Sequence, residues 1–318
     1  MKGKISVSVK NKHISFKLDL ERNITIITGD SGTGKTKLLN MVRAYSAEGR
    51  SSGVALKCDR PCVVLEGMNW EIQLASIRES VVFIEESTKF LPTYDFAAAI
   101  QNTDNYYVFI TREPLPQIPY SMDAIKKIVK NGKNPKIEKI YSNVGITDIT
   151  AKKYDVMIVE DGKTGYQFFS EAARIRKGSC ISANGKSNIL TELHRQKAVR
   201  ILVIADAASL GPEIREIIHF IRADAAEIDL FLPESFEWLL LRSAIFAGHA
   251  DIQKILEDPI AYIECKEFFN WERFFTHLLV TESADMPKLN YPRNKSRLPS
   301  GYLTAANMEC VINAMKER

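Results

Sequence analysis

Residues 29 to 36 read Gly-Asp-Ser-Gly-Thr-Gly-Lys-Thr, and this octet fills every fixed position of the pattern G-x-x-x-x-G-K-[ST]. The stretch before it, Asn23 to Thr28, is rich in β-branched residues and predicts a buried parallel strand. The stretch after it, Lys37 to Val42, predicts the start of a helix. The octet therefore stands between a strand and a helix.

In that context the octet predicts a phosphate-binding P-loop, because glycines let main-chain N–H groups surround phosphate oxygens at a helix N-terminus. Lys35 is expected to reach the β- and γ-phosphates and to act in catalysis, and the Thr36 hydroxyl to bind Mg²⁺. An ordinary glycine-rich turn is the alternative, which the flanking strand and helix disfavour. The predicted nucleotide-binding residues are Gly29, Asp30, Ser31, Gly32, Thr33, Gly34, Lys35 and Thr36.

A second apolar segment, Val81 to Ile84, ends in two acids and is similar to a Walker B strand. Glu85 stands at the metal-binding position, and Glu86 stands where a base would activate water. The first acid of this motif is usually Asp, so Glu85 departs from the pattern. The alternative is a strand that ends in solvated acids.

A third strand, Tyr106 to Thr111, is followed by Arg112. This segment resembles the strand that carries a polar sensor in ABC and AAA-like ATPases, with Thr111 or Arg112 in that role. A surface arginine at a strand end is an equally good explanation. The alternation of Lys4 to Leu18 predicts an antiparallel hairpin, as found ahead of the P-loop in ABC-type ATPases.

The chain lacks a leucine-serine-glycine-glycine-glutamine-like signature of the ABC family between the P-loop and the acidic strand. Hydrolysis of ATP is therefore expected to need help from a second subunit or a partner protein, for example an arginine supplied in trans.

The composition predicts a soluble protein with two cores, since 45% of its 318 residues are hydrophobic. No apolar run reaches 18 residues and the N-terminus lacks a secretory signal, so we expect a cytoplasmic protein with no membrane segment. Five scattered cysteines are expected to be reduced thiols. Cys58 and Cys62 have the spacing of half a zinc site, but no second pair completes it.

The net charge of +4 is too small to indicate nucleic acid by itself. Lysines crowd one stretch, and a solvated face explains them better than a track for a phosphate backbone, although nucleic acid stays a candidate partner. These lysines are Lys126, Lys127, Lys130, Lys133, Lys136 and Lys139.

A second series of strands and helices begins after residue 152. The strand Tyr154 to Val159 ends in Glu160, and the strand Arg200 to Ala205 ends in Asp206. Between them, Ser179 to Ala183 precedes an Asn-Gly-Lys-Ser turn at 184 to 187 that lacks the first glycine of a P-loop. Carboxyl ends of strands are where open α/β sheets hold ligands.

Residues 153 to 235 resemble a Toprim domain, the Mg²⁺-binding module of topoisomerases, primases and OLD-family nucleases. The resemblance implies that Glu160 is a metal ligand or acid/base and that Asp206 is a metal ligand, the first acid of an Asp-x-Asp pair. Ala208 stands where the second aspartate belongs, which puts nuclease activity in doubt. Capping of a turn is the alternative role of Asp206.

The pattern becomes helical after Pro233, and it contains an aromatic cluster that is expected to be core rather than a base-stacking platform. A basic, proline-bearing connector spans 287 to 299, and a last helix is predicted near Thr304 to Lys316. The cluster consists of Phe268, Phe269, Trp271, Phe274 and Phe275.

Together these patterns predict an α/β protein: a P-loop NTPase domain with a parallel sheet at 1–150, a smaller Toprim-like α/β domain at 151–235, and a helical region at 236–318. This combination resembles the OLD-family ATPase-nucleases, many of which act in anti-phage defence. The leading hypothesis is an ATPase, using ATP and Mg²⁺, whose nucleotide state controls a Toprim-like module acting on or sensing nucleic acid. The alternatives are a regulatory or scaffold ATPase with an inactive Toprim-like domain that binds a partner, and a small-molecule kinase, for which no acceptor site is evident.

Overall fold

The computed structural model describes residues 1–145 and 152–316. Within these residues the chain is α/β, with three sheets and ten α-helices. Its contacts divide it into two compact units. The first unit is Met1–Ser142 with Asp258–Asn270, and the second is Asn143–Glu257 with Trp271–Arg318. The predicted boundary between 150 and 151 lies outside the described residues, and the division into three functional parts stays a prediction.

Two sheets form the first unit. A three-stranded antiparallel sheet has the order β2-β1-β4, and a six-stranded sheet has the order β5-β6-β7-β3-β8-β9 and is parallel except for β9. The strands are β1 Ile5–Lys10, β2 Ser15–Leu20, β3 Ile24–Thr28, β4 Ala55–Lys57, β5 Cys62–Val64, β6 Val81–Glu85, β7 Tyr106–Ile110, β8 Ile125–Val129 and β9 Lys136–Lys139.

The burial of these strands follows their residue pattern. In β1 the apolar side chains alternate with exposed ones, and β1 pairs with β2 from Ile5↔Leu20 to Lys10↔Ser15, which confirms the predicted hairpin. In β3, β6 and β7 four or more consecutive side chains are buried, as expected for parallel strands covered on both faces.

Three α-helices belong to the first unit: α1 Lys35–Glu48, α2 Trp70–Ser76 and α3 Tyr94–Ile100. The predicted strand, glycine-rich loop and helix are therefore present as β3, residues 29–34 and α1. The two further predicted strands are present as β6 and β7. In the sheet β7 lies between β3 and β6, so the acidic end of β6 is two strands away from the glycine-rich loop.

The segment Asp258–Asn270 belongs to the first unit although it follows most of the second unit in the chain. Main-chain hydrogen bonds join Gly3 N to Ile260 O (2.9 Å) and Cys265 N to Met1 O (3.0 Å). The Asn23 side-chain amide donates to Phe269 O (2.5 Å) just before β3. The segment is thus anchored beside both the first residues and the start of the central strand.

The second unit contains a four-stranded parallel sheet with the order β11-β10-β12-β13. Its strands are β10 Val156–Val159, β11 Ser179–Ser182, β12 Arg200–Ile204 and β13 Glu227–Phe231. Its helices are α4 Thr164–Ile175, α5 Ile189–Arg195, α6 Ile214–Ala223, α7 Phe236–Arg242, α8 Ala250–Glu257, α9 Trp271–Glu282 and α10 Ala305–Ala314. These elements confirm the order of strands and helices predicted from residue 154 onward.

The order of this sheet creates a switch point. From β10 the chain goes to β11 on one side, and from β11 it crosses to β12 on the other side of β10. The connections that leave β10 and β12 therefore diverge, which opens a crevice between the carboxyl ends of these two strands. Glu160 follows β10 and Asp206 follows soon after β12, so both predicted acids stand at this crevice.

The predicted aromatic cluster contributes to the cores. Phe269 is buried in the first unit, and Phe274 and Phe275 are buried in the second. The lysine-rich stretch is only in part a solvated face. Lys126 is buried and its ammonium donates to Asp19 O, and Lys139 forms an ion pair with Glu21 (2.7 Å). Among the described helices, none has the length and apolar character required to cross a membrane.

The central sheet of the first unit should depend strongly on β6. Ile84 is 0% exposed and Ile72 on α2 is 74% exposed, so the same truncation can be compared in two environments. We expect Ile84→Ala to lower the free energy of unfolding by about 2–5 kcal/mol, because it removes buried methyl groups and leaves a cavity. Ile72→Ala should change it by less than about 0.5 kcal/mol. Chemical denaturation of both variants measures the difference, and equal losses would contradict the burial of Ile84.

Candidate functional site

The loop between β3 and α1 is held open by left-handed backbone. Gly29, Gly32 and Gly34 have φ values of +122°, +74° and +107°, which only glycine adopts without strain. At Gly34 a Cβ would also lie 3.3 Å from the ring of Phe16. Glycine is therefore required at this position both by conformation and by space.

Helix α1 starts directly after this loop without a side-chain cap. Gly34 is its N-cap residue, and no acidic residue stands in its first turn. The Thr33 hydroxyl instead donates to Asp30 O (3.1 Å) within the loop. The first N–H groups of α1 are consequently left to a ligand or water, and they carry the positive end of the helix dipole.

Lys35 lies at the centre of this site. Its side chain is buried, and its ammonium donates to the main-chain carbonyls of Gly29 and Asp30, the latter at 2.8 Å. Burial and the nearby Arg112 guanidinium lower the pKa of Lys35, while Glu86 and Asp30 act in the opposite direction. Charged groups that follow β3, β6 and β7 thus all act on the pKa of Lys35.

The carboxylate of Glu86 is fixed by the end of β7. Its Oε2 accepts the main-chain N–H of Arg112 (2.7 Å), and its own N–H donates to Ile110 O (2.9 Å). The Thr111 hydroxyl is engaged with the main chain of Glu113 (3.0 Å). Of the two predicted sensor residues, Arg112 is therefore the one whose charge acts on Lys35.

Glu85 faces different neighbours from Glu86. Its Oε2 accepts from the Ser87 hydroxyl (3.4 Å), and its charge raises the pKa of Arg43 after the larger effect of Glu66, which pairs with Arg43 at 2.8 Å. Glu85 and Arg43 line a cavity of about 680 Å³ in the first unit, together with Trp70 and Phe90. The predicted metal role of Glu85 and base role of Glu86 stay predictions.

Thr36 and the polar residues of the loop are accessible. Thr36, Asp30 and Ser31 are exposed, so their side chains are open to a ligand approaching the loop. From sequence Lys127 of β8 was noticed only as one of the crowded lysines, but its Cβ lies 3.9 Å from the position a Cβ would take at Gly29. Its exposed side chain adds a second lysine beside the loop.

In the second unit the structure brings Glu160 and Asp206 together at the switch point. Glu160 Oε2 accepts the main-chain N–H of Asp206 (2.8 Å). Asp206 Oδ1 accepts the N–H of Phe236 (3.1 Å) at the start of α7. Asp206 thus also fixes the chain where α7 begins, 30 residues further along the chain, rather than the turn that directly follows its own strand.

Three further carboxylates (Glu213, Glu237 and Glu272) and two lysines (Lys186 and Lys295) act electrostatically on this pair. Burial raises the pKa of Glu160 to about 7, with Glu272 adding to the effect. Burial and then Glu160 raise the pKa of Asp206 well above its usual range, with further contributions from Glu272 and Glu237. Because the carboxylates at this crevice outnumber the lysines, we call the crevice the acidic pocket.

Lys295 from the basic connector reaches into this acidic pocket. Its ammonium pairs with Glu237 Oε1 (3.0 Å) and with Glu272 Oε1 (2.9 Å). Glu237 Oε1 also accepts from the Tyr291 hydroxyl (2.7 Å), which lies 2.6 Å from the Thr164 hydroxyl. Among the described residues, Glu237 Oε2 is buried without a hydrogen-bond partner.

These pocket residues were missed from sequence because they lie far from the strand ends in the chain. Glu237 and Glu272 are in the first turns of α7 and α9, and their only sequence signal is an acid near a helix start. Lys295 was noticed only as one of several basic residues in the connector.

Asp161 and Lys186, in the other loops at this edge of the second unit's sheet, already have hydrogen-bond or ion-pair partners. Asp161 accepts from the N–H groups of Lys163 (2.8 Å) and Gly165 (2.7 Å), so the start of α4 is already occupied by a carboxylate. Lys186 donates to Ser209 O (2.8 Å) and pairs with Glu213 (3.2 Å). As predicted, residues 184–187 form a turn that leads into a helix.

A metal cluster is not evident in either unit. Within residues 1–145 and 152–316, no three His, Cys, Asp or Glu side chains are arranged to hold a metal ion. In the acidic pocket, one oxygen of Glu160 and one of Asp206 are already engaged by main-chain N–H groups.

All five cysteines are free thiols. Cys58 and Cys62 interact with each other, and the hydrogen bond from the Cys62 thiol lowers the pKa of Cys58 to about 6. The same interaction raises the pKa of Cys62, which is buried. This asymmetry makes Cys58 the nucleophilic member of the pair.

No known protein-family model and no curated protein matches this chain.

Cys58 should be alkylated readily at neutral pH. Because its thiolate fraction rises as the pH passes through about 6, the rate of reaction with iodoacetamide should rise with a midpoint near that pH. Cys62→Ala removes the hydrogen bond and should shift the midpoint toward the ordinary cysteine value of about 8.5. Mass spectrometry of the modified peptide measures both rates, with Cys58→Ser as the control for assignment. A wild-type midpoint near 8.5 would contradict the interaction.

Proposed function

We propose that the first unit binds ATP with Mg²⁺ and hydrolyses it. The observation that carries the proposal is the combination of three left-handed glycines, an uncapped α1 and a buried Lys35 at one point of the sheet edge. Uncapped N–H groups and a lysine together suit the phosphates of a nucleotide. The hydrogen bonds of Lys35 go to main-chain carbonyls, which phosphate oxygens can replace.

Each residue at this edge then has a role. Lys35 exchanges the carbonyls of Gly29 and Asp30 for the β- and γ-phosphates, and Arg112 adds positive charge beside it. Glu86, held by the Arg112 main chain, accepts the proton of the attacking water. Thr36 and Glu85 are the residues that would hold Mg²⁺, which neutralises charge on the phosphates.

We further propose that the nucleotide state controls the second unit, which resembles a Toprim module that acts on or senses nucleic acid. The support is the placement of Glu160 and Asp206 at the switch point of a parallel sheet. The resemblance to OLD-family proteins extends this to a role in anti-phage defence.

A specific observation favours the alternative, in which the second unit has no catalytic activity and binds a partner protein. Ala208 takes the place of the second aspartate and is buried, with its N–H bonded to Glu234 O (3.2 Å). Lys295 occupies the pocket that the acids form. Under this proposal the protein is a regulatory ATPase.

The cavity beside Glu85 supports a third possibility, phosphoryl transfer to a small acceptor. Its volume of about 680 Å³ is within the range of small-molecule sites, and it was not visible in the sequence. Transfer of phosphate to an added small molecule, rather than to water, would distinguish this function.

Variants of the glycine-rich loop test the nucleotide site. Lys35→Ala should weaken binding of Mg-ATP by about 10- to 100-fold, because charged hydrogen bonds to the phosphates are lost. Glu86→Gln should keep binding but slow hydrolysis by about 10²- to 10⁴-fold, because the base is removed. Calorimetry measures binding, and phosphate release measures turnover.

Lys37→Ala is the matched control for these measurements, because Lys37 is an exposed lysine in the same turn of α1. It should behave as the wild type. Hydrolysis that is unchanged in both Lys35→Ala and Glu86→Gln would refute the assigned roles.

Nicking of plasmid DNA tests the second unit. If it is a nuclease, the purified protein should nick DNA in the presence of Mg²⁺ or Mn²⁺, and Glu160→Ala and Asp206→Ala should abolish nicking because each removes a carboxylate from the pocket. Intact ATPase activity without nicking supports the regulatory ATPase. Gel electrophoresis of the plasmid reports the result, and nicking that survives both substitutions would indicate a contaminant.

A further inference from the structure

We propose that the ammonium of Lys295 is the resident cation of the acidic pocket, so that this pocket does not take a divalent metal ion. The inference concerns the second unit alone and does not depend on nucleotide binding by the first. It rests on the proposed alternative in which the second unit has no catalytic activity.

The first support is the position of the ammonium among the acids. Lys295 contacts one oxygen of Glu237 and one of Glu272, at 3.0 Å and 2.9 Å. Burial by itself would lower the pKa of Lys295, but Glu237, Glu272 and Asp206 outweigh burial and raise it. Lys295 is therefore charged, and it pairs with carboxylates at the starts of α7 and α9 and acts electrostatically on Asp206, which follows β12.

The second support is the way the connector is fixed on both sides of Lys295. Before it, Tyr291 is buried, its main-chain N–H donates to the Ser283 hydroxyl (2.9 Å), and its own hydroxyl donates to Glu237. After it, Gln167 of α4 bonds to Ser296 O (3.2 Å) and to the N–H of Leu298 (2.9 Å). These contacts fix the main chain before and after Lys295 and so restrict the position of its ammonium.

The backbone of Lys295 is itself unusual. Its φ is +55°, a left-handed conformation that a non-glycine residue rarely adopts, and its N–H donates to Pro292 O (2.9 Å). A tight turn of this kind directs the side chain inward at a point where the neighbouring Arg293 and Arg297 are exposed. Such local strain persists only where surrounding contacts maintain it.

The third support is the set of oxygen atoms that remain. The second aspartate of the resembled motif is replaced by Ala208, and one oxygen each of Glu160 and Asp206 is bound by main-chain N–H groups. A divalent ion bound to Asp206 and Glu237 would also meet the positive charge of Lys295. The pocket thus has the charge of a metal site but already contains a cation.

Removal of the Lys295 charge should open a place for Mn²⁺ between Glu237 and Glu272, which both contact the ammonium. Two carboxylates and water can hold such an ion without a third protein ligand. Glu237 Oε2 already has no hydrogen-bond partner among the described residues. Carboxylate oxygens are the ligands that Mn²⁺ and Mg²⁺ prefer. The substitution Lys295→Met keeps the length of the side chain and removes its charge.

The experiment is a Mn²⁺ titration of the full chain, stripped of metal and free of nucleotide, followed by the electron paramagnetic resonance signal of free Mn²⁺. The wild type should show no Mn²⁺ site that depends on Asp206 or Glu237, and Lys295→Met should gain one that depends on Glu237. Lys295→Arg keeps the charge and should gain none. Lys288→Met, a substitution of an exposed lysine in the same connector, should behave as the wild type.

Two results would overturn the proposal. One is a wild-type Mn²⁺ site that is lost in Asp206→Asn but kept in Glu85→Gln, since that ion would occupy the acidic pocket. The other is a folded Lys295→Met that binds no additional Mn²⁺. If Lys295→Met does not fold, the wild-type titration with Asp206→Asn still decides. A wild-type site that both Asp206→Asn and Glu237→Gln retain lies outside the pocket, as the proposal requires. ATP hydrolysis, measured separately, distinguishes failure of this inference from failure of the proposed nucleotide site.

Discussion

Parallel pairing of strands brings the carboxyl ends of distant segments to one edge of a sheet, and both sites of this protein depend on that constraint. In the first unit it brings the ends of β3, β6 and β7 toward Lys35. In the second it brings Glu160 and Asp206 within one hydrogen bond of each other. The strands that lead to these sites are mostly buried and apolar, so their polar side chains gather where each strand ends; these strands are β3, β6, β7, β10 and β12.

The two edges have opposite electrostatic character. In the first unit α1 begins without a side-chain cap, and Lys35 and Arg112 stand beside its positive end. In the second unit the start of α4 is capped by Asp161, and the crevice beside it collects carboxylates. The same sheet architecture therefore creates an edge suited to anions in one unit and an edge suited to a cation in the other.

The sequence was sufficient for the glycine-rich loop, because both its residue types and its flanking pattern are local. It was also sufficient for the order of strands and helices in the second unit. It could not show that β7 separates β6 from β3, since strand order depends on packing rather than on local pattern. It could not place Glu237, Glu272 and Lys295 beside Asp206 either, because those contacts join residues 31 to 89 positions apart in the chain. Single acids and lysines near helix starts are common, and only tertiary structure distinguishes these from solvated ones.

The segment Asp258–Asn270 has a consequence for the topology of the whole chain. Because this segment completes the first unit, the polypeptide passes from one unit to the other after residues 142, 257 and 270. No single cut can then release either unit as an intact piece, and a fragment ending at Ser142 would lack the residues that bond to Met1, Gly3 and Asn23. Each unit is thus covalently interleaved with the other, so the first can be completed only after most of the second has been synthesised.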